Sequence, residues 1–245
     1  MISFLKSKLK LAVSLLVSLV LLSSPIIAKA APNNFGMPPG FDWKAERERE
    51  LRIFDECSKK LRSKSNGSNS SDNVKLGNFA LGEYRPYKTF SPDIHKGYAL
   101  VTKDGSSKGS SSSFIGHAGL VYKSDSTVES SPHEGGVYIG KSEDWVGLDS
   151  NGQRKKRTLY ILECLYTSDP SPAADYAYSQ IGKPYNWNFF DRETTDSFYC
   201  SQLVWRSYLD GCNINLCPGA WNFVSPSDIL YSDRLNIMYW HEYEY

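Results

Sequence analysis

Polar and apolar residues change rhythm several times along this chain, and each change predicts an element. Between Asp42 and Lys64, the apolar residues Leu51, Phe54 and Leu61, flanked by Ile53 and Cys57, recur at helical spacing among Glu, Arg and Lys, with Asp42 as N-cap. A helix packed on the outside of the main domain is expected there, with a lid or partner-docking helix as the alternative. Residues 63–73 are small, polar and aperiodic, a flexible linker. Next, Lys96 to Thr102 reads as a strand ended by a Ser-rich loop, and Phe114 to Tyr122 as a second strand with His117, Gly119 and Val121 on one face. A turn at Asp125-Ser126 leads into Thr127 to Ser130 as its hairpin partner. Residues 131–136 form a loop before a further strand from Val137 to Gly140. The nearly continuous apolar run from Thr158 to Tyr166 reads as a central strand.

Helical spacing returns after Ser171-Pro172, with Ala173, Ala177 and Ile181 inward, and stops at Gly182-Lys183-Pro184-Tyr185. In the stretch Phe198-Tyr199-Cys200-Ser201-Gln202-Leu203-Val204, Leu203, Val204 and Tyr208 share the inward face of a helix with Cys200, while Arg206 and Asp210 point to water. Ser197 or Asp196 is the expected cap. A short capped helix near Val224 to Leu230 and a strand from Ile237 to Trp240 complete the pattern.

The N-terminus changes the picture of where the protein works. Lys6, Lys8 and Lys10 precede the apolar run Leu11 to Leu22, then Pro25 and Ala28-Lys29-Ala30, the layout of an export signal cleaved near Ala30-Ala31. The apolar run is too short for a comfortable membrane span, and no stable span is expected after cleavage. The expected organisation is a signal peptide over residues 1–30, a helix and linker over 31–75, and one domain over 76–245, in a secreted or envelope-associated protein. About 215 mature residues suffice for a single core. A net charge of +1 argues against nucleic-acid binding. Five cysteines leave at least one thiol unpaired. Cys212 and Cys217 are spaced for a local disulfide, and Cys57 and Cys164 suit plain core positions.

The candidate chemistry centres on Cys200. In the first turn of a helix, free backbone N–H groups and the positive dipole end favour thiolate, which is how a cysteine nucleophile is made; taken alone, this helix fits better a small buried hydrophobe at Cys200, like most free cysteines. His117 lies among small residues that leave its ring accessible, and the hairpin brings Glu129 near it, where a carboxylate orients the ring and holds its Nδ1 proton. His133 and Glu134 are reserve candidates for the acid or base. The chain has no Cys-x-x-Cys, no His-Glu-x-x-His and no glycine-rich phosphate loop, so neither a metal nor a cofactor is expected.

Taken together, Gly97 to Thr102, Gly116-His117-Ala118-Gly119-Leu120-Val121, Val128-Glu129-Ser130, Gly182-Lys183-Pro184-Tyr185-Asn186 and the Cys200 stretch resemble the circularly permuted papain-like branch of the NlpC/P60 superfamily, in particular its YycO- and YiiX-type hydrolases. The likeness covers residues 76 to 232. It departs at Gly97-Tyr98-Ala99, where related proteins read Gly-Asp-Ile/Val. It implies an α+β, papain-like fold with an antiparallel sheet packed against helices, here with an extra N-terminal helix. By this resemblance Cys200 is the nucleophile, His117 the base and Glu129 the orienting residue, with Tyr185 or Tyr199 beside the oxyanion and Trp187 in the substrate site. The implied function is an exported cysteine amidohydrolase or peptidase acting on a peptide or amide, peptidoglycan included. The alternatives are an acyl-lipid hydrolase, acyltransferase or thioesterase, and an inactive wall- or ligand-binding module using Trp187, Phe189, Phe190 and Trp221.

Overall fold

The computed structural model describes residues 40–66, 89–90, 92–105, 116–146, 158–219 and 222–241. The expected signal segment, most of the linker, the Ser-rich loop beyond Gly105, the basic turn Arg154 to Arg157, and Trp221 lie outside them. The chain divides after Ala31, and the fold described here belongs to the unit that runs from Pro32.

Helix α1 (Trp43–Asn66) starts at the expected cap: Asp42 Oδ1 accepts hydrogen bonds from the backbone N–H groups of Lys44 and Ala45 at 3.0 and 3.1 Å. Its inward stripe is Glu50, Phe54, Cys57, Ser58 and Leu61, all buried, at i, i+4, i+7, i+8 and i+11. Leu51, expected on that stripe, is 40% exposed. One position earlier, Glu50 takes its place because its carboxylate finds donors inside, Ser227 Oγ at 2.6 Å and Ser227 N at 3.3 Å. Phe54 is fully buried, and a side chain of that size contributes about 1.5–3 kcal/mol to docking the helix.

Six strands follow: β1 (Ala99–Thr102), β2 (His117–Lys123), β3 (Ser126–Ser131), β4 (Gly136–Lys141), β5 (Leu159–Cys164) and β6 (Leu235–His241). They form one antiparallel sheet in the order β4-β3-β2-β1-β5-β6. The β2–β3 turn falls on Ser124-Asp125, one residue earlier than expected, because Ser126 already pairs with Lys123. Helix α2 (Ser142–Val146) follows β4 directly.

Alternation along the strands divides their buried hydrophobic residues between two clusters. The larger joins Ala99, Val101, Ala118, Leu120, Tyr160 and Leu162 of the sheet to α1, to α3 (Ser171–Ser179) and to α4 (Cys200–Cys212). The smaller contains Leu100, Val121 and Ile161 with Phe90, Tyr98 and Trp145. Ala173 and Ala177 of α3 face inward as expected, but Ile181 is 40% exposed, since the helix has already ended at Ser179.

Helix α4 is the centre of the larger core. Leu203, Val204 and Tyr208 are fully buried, and the Tyr208 hydroxyl donates to Gly97 O at 2.6 Å, anchoring the helix to the chain entering β1. Asn213, at φ 56°, ends it in a left-handed turn. Helix α5 (Pro226–Leu230) is capped by Ser225, whose Oγ accepts from Asp228 N at 3.1 Å. The thiols of Cys57, Cys164, Cys200, Cys212 and Cys217 are all free. Among the described residues no helix is long and apolar enough to cross a membrane.

Candidate active site

Cys200 opens α4, and its N-terminus is built differently from the expectation. The N-cap is Tyr199, not Ser197 or Asp196, in extended conformation at φ −90° and ψ 169°. Gln202 reaches back to accept from Tyr199 N at 3.1 Å, and its Nε2 donates to Arg192 O and Thr194 O at 3.0 and 2.9 Å. Asn186, next to Tyr185, donates to the same Gln202 Oε1 at 3.0 Å. The cap therefore comes from within the helix, because Gln202 stitches the preceding loop to the turn that carries the thiol.

His117 is the first residue of β2, and its ring meets Cys200 in a side-chain hydrogen bond. Its Nε2 lies 2.7 Å from Glu129 Oε2. This corrects the expected Nδ1 contact: Glu129 pairs with Gly119, so its carboxylate reaches the outer edge of the ring. Nδ1 is then the nitrogen left for the thiol.

Glu129 is fully buried and receives donors on both oxygens. Oε1 accepts from Thr127 Oγ1 and from Trp145 Nε1, the latter at 2.7 Å. Oε2 takes the His117 contact and a hydrogen bond from Tyr138 OH at 3.1 Å. Two glycines make the space: a Cβ on Gly119 would lie 2.9 Å from Glu129 Cγ, and one on Gly140 would lie 2.2 Å from Glu129 Oε1. Trp145 also stacks on His117, with ring centroids 5.5 Å apart and planes at 21°.

These contacts set the charges. For each of the three groups burial opposes the charged form, and for each the partners outweigh it. His117 is raised to about 9 by its hydrogen bonds to Cys200 and Glu129. Cys200 is lowered from the usual thiol value by the His117 hydrogen bond and charge and by the backbone N–H of Ala118. Glu129 is held below the ordinary carboxyl value by His117, Thr127 and Trp145. The three side chains thus form a buried row in which each partner favours the charged form of its neighbour.

Beside Cys200 is a narrow cavity of about 20 Å³, whose lining includes Tyr185, Phe189, Tyr199 and Phe223. Among the described residues the Tyr185 hydroxyl makes no hydrogen bond, and burial pushes its pKa well above the usual phenol value, so it keeps its proton. The Tyr199 hydroxyl accepts from Val224 N at 2.9 Å. Trp187 packs edge-on against Tyr185 at 4.9 Å and does not line this cavity. His133 is exposed in the β3–β4 turn, and none of the hydrogen bonds to Cys200, His117 or Glu129 described above comes from it. Sequence reasoning missed Thr127, Tyr138 and Trp145. The period-2 pattern could have found the first two, which fall on β3 and on the strand paired with it, whereas nothing in the local sequence marks Trp145 as a donor.

Residues 100–218 match the sequence profile of the permuted papain-like amidase enzymes, the YaeF/YiiX or C92 family. That segment, just under half of the chain, is similar to this family. In this chain His117 and Glu129, on the antiparallel sheet described above, precede Cys200, on one of its packed helices. Helix α1 lies before the matched segment. The chain is also similar to the uncharacterized protein YycO of Bacillus subtilis (strain 168), 30% identical over 117 residues, 46% of this chain and 44% of YycO. It thus spans less than half the length of that relative. The metalloprotein yiiX of Escherichia coli O157:H7 is a structural neighbour with a TM-score of 0.42 and 17% identity, over 58% of this chain and 94% of that one. In this chain, among the described residues, no group of three or more His, Cys, Asp or Glu side chains is arranged to hold a metal ion.

Proposed function

We propose that the protein is an exported cysteine amidohydrolase that cleaves amide bonds of cell-wall peptides or related substrates, in the manner of NlpC/P60 enzymes. The observation that carries this reading is the His117 ring held between the Cys200 thiol and a carboxylate saturated with donors.

The Cys200 thiolate attacks the amide carbonyl, and the developing oxyanion takes hydrogen bonds from Cys200 N–H and Tyr185 OH. The proton on His117 Nδ1 passes to the leaving amine as the C–N bond breaks, leaving a thioester on Cys200. His117, now neutral, removes a proton from water; the hydroxide displaces the thiolate and the carboxylic acid departs. Glu129 keeps the ring oriented through both steps and stabilises its charged form. The ion pair exists between the lowered thiol value and about 9, so turnover falls as pH drops through the first and again as pH rises through the second.

Iodoacetamide alkylation with peptide mapping tests the reading. At neutral pH Cys200 is expected to react faster than Cys57, which burial pushes up to about 11. His117→Ala should slow Cys200 labelling and lower amide turnover by on the order of a thousandfold. Labelling of Cys200 that is indifferent to His117 would sink the mechanism.

A further inference from the structure

A second cavity, of about 950 Å³, lies beside the Cys200 cleft between the start of α1 and the loops flanking α5. Its wall includes Phe41, Phe190, Leu216 and Phe223, with Arg49 and Asp228 at its polar side. The side chain of Phe223 lines both this cavity and the cavity at Cys200. Phe41, Phe190 and Phe223 form a mutual edge-on cluster with centroids 4.9, 5.4 and 5.9 Å apart. A largely apolar chamber of this size, separated from the Cys200 cavity by the shared Phe223, suits a substrate group, because it removes apolar surface from water close to the reacting bond.

The polar side carries a sign. Arg49 is taken up by Glu46 and Glu50 at 2.7 and 2.8 Å, and lies 3.9 Å from Asp228. Asp233 also lines the cavity and pairs with Arg234 at 3.2 Å. Among the described residues that line the cavity, the acids Glu46, Asp228 and Asp233 outnumber the cation Arg49. A carboxylate-ended group is disfavoured there and a neutral or ammonium-ended one accepted.

We infer that this cavity holds an apolar, uncharged or cationic group flanking the scissile amide, and that the start of α1, outside the family-matched segment, sets which substrates are cleaved. The inference rests on Cys200 being the nucleophile. Phe41 and Phe190 are then specificity-determining residues, and α1 is a wall of the substrate site.

The test uses the full chain and two series of small amides, one varied from acetyl to decanoyl on the acyl side, the other lengthened likewise on the amine side, each with neutral, ammonium and carboxylate ends. Wild type is expected to prefer the long neutral or ammonium-ended members of at least one series. Phe41→Ala should lower that long-to-short ratio of kcat/KM roughly tenfold, with Phe41→Leu giving a smaller change. Asp233→Lys should narrow the preference for ammonium over carboxylate by about threefold. Lys59→Ala, on the exposed side of α1, controls for general disturbance of the helix. An unchanged ratio in Phe41→Ala, with an unfolding midpoint near that of wild type, overturns the inference while Cys200-dependent turnover of the acetyl amide upholds the nucleophile. Turnover that survives Cys200→Ala, or is absent from wild type, defeats the nucleophile reading instead. Calorimetric binding of the long neutral amides to the Cys200→Ala chain, with and without Phe41→Ala, then still decides the pocket, and equal binding overturns it.

Discussion

Glu129 and Glu50 are both wholly buried carboxylates, yet their surroundings drive them in opposite directions. Glu129 lies in the sheet between two glycines and faces Thr127, Trp145, Tyr138 and a buried, protonated imidazole, and it stays ionised. Glu50 lies between α1 and α5. Its pKa is raised, chiefly by burial, in spite of the Ser227 and Ser225 hydroxyls and the charge of Arg49. The difference lies in the cation. His117 is buried with Glu129, whereas the Arg49 side chain is 40% exposed and divides its charge between Glu46 and Glu50. Burial alone thus says little about a carboxylate's role; the number and desolvation of its donors decide it.

Glu129→Gln should break this comparison most. Turnover is expected to fall on the order of a hundredfold, less than for His117→Ala, because the amide still touches the ring but no longer favours its charge. Its pH signature is specific. Since Glu129 is lowered on folding, wild type should hold its full stability advantage over the variant above the ordinary carboxyl value and lose it as pH falls through the lowered one. Parallel denaturation curves across that range would contradict the assignment.

A smaller effect is expected from Trp145→Phe, which keeps an aromatic ring near His117 but removes the Nε1 donor. Leaving Glu129 Oε1 short of one bond should cost about 1–3 kcal/mol in urea unfolding and slow Cys200 alkylation. A stability loss without slower alkylation would make Trp145 a packing residue only.

Smallest of all should be Glu50→Gln, within about 1 kcal/mol at neutral pH. The pH trend runs the other way from Glu129: with its pKa raised, Glu50 favours the fold most when protonated, so wild type loses ground to the variant as pH rises through the raised value. Equal trends for the two glutamates would remove the distinction drawn between them.

The same contrast explains what could be read from the sequence. Cys200 in the first helical turn, His117 on a small-residue strand and Glu129 across a short hairpin are local facts, set by periods of 3.6 and 2 and by a tight connection. The ring nitrogen that Glu129 takes depends on side-chain torsions, which no spacing specifies. Glu50 meets Ser227 across 177 residues, so its burial at the expense of Leu51 could not be seen from α1 alone. The cap of α4 was missed for a related reason: Gln202 looks like a core-facing helical residue until the loop it ties down is in place.

That long-range tie between α1 and α5 also has a consequence during synthesis. A chain made from its N-terminus presents α1 early, but the hydroxyl and backbone N–H that receive Glu50 arrive only with Ser227. Until then the stripe of Phe54, Cys57 and Leu61 has no complete seat, and the wall at Phe41 stays unassembled. The nascent protein would therefore remain without its finished chamber until almost the entire described fold has emerged.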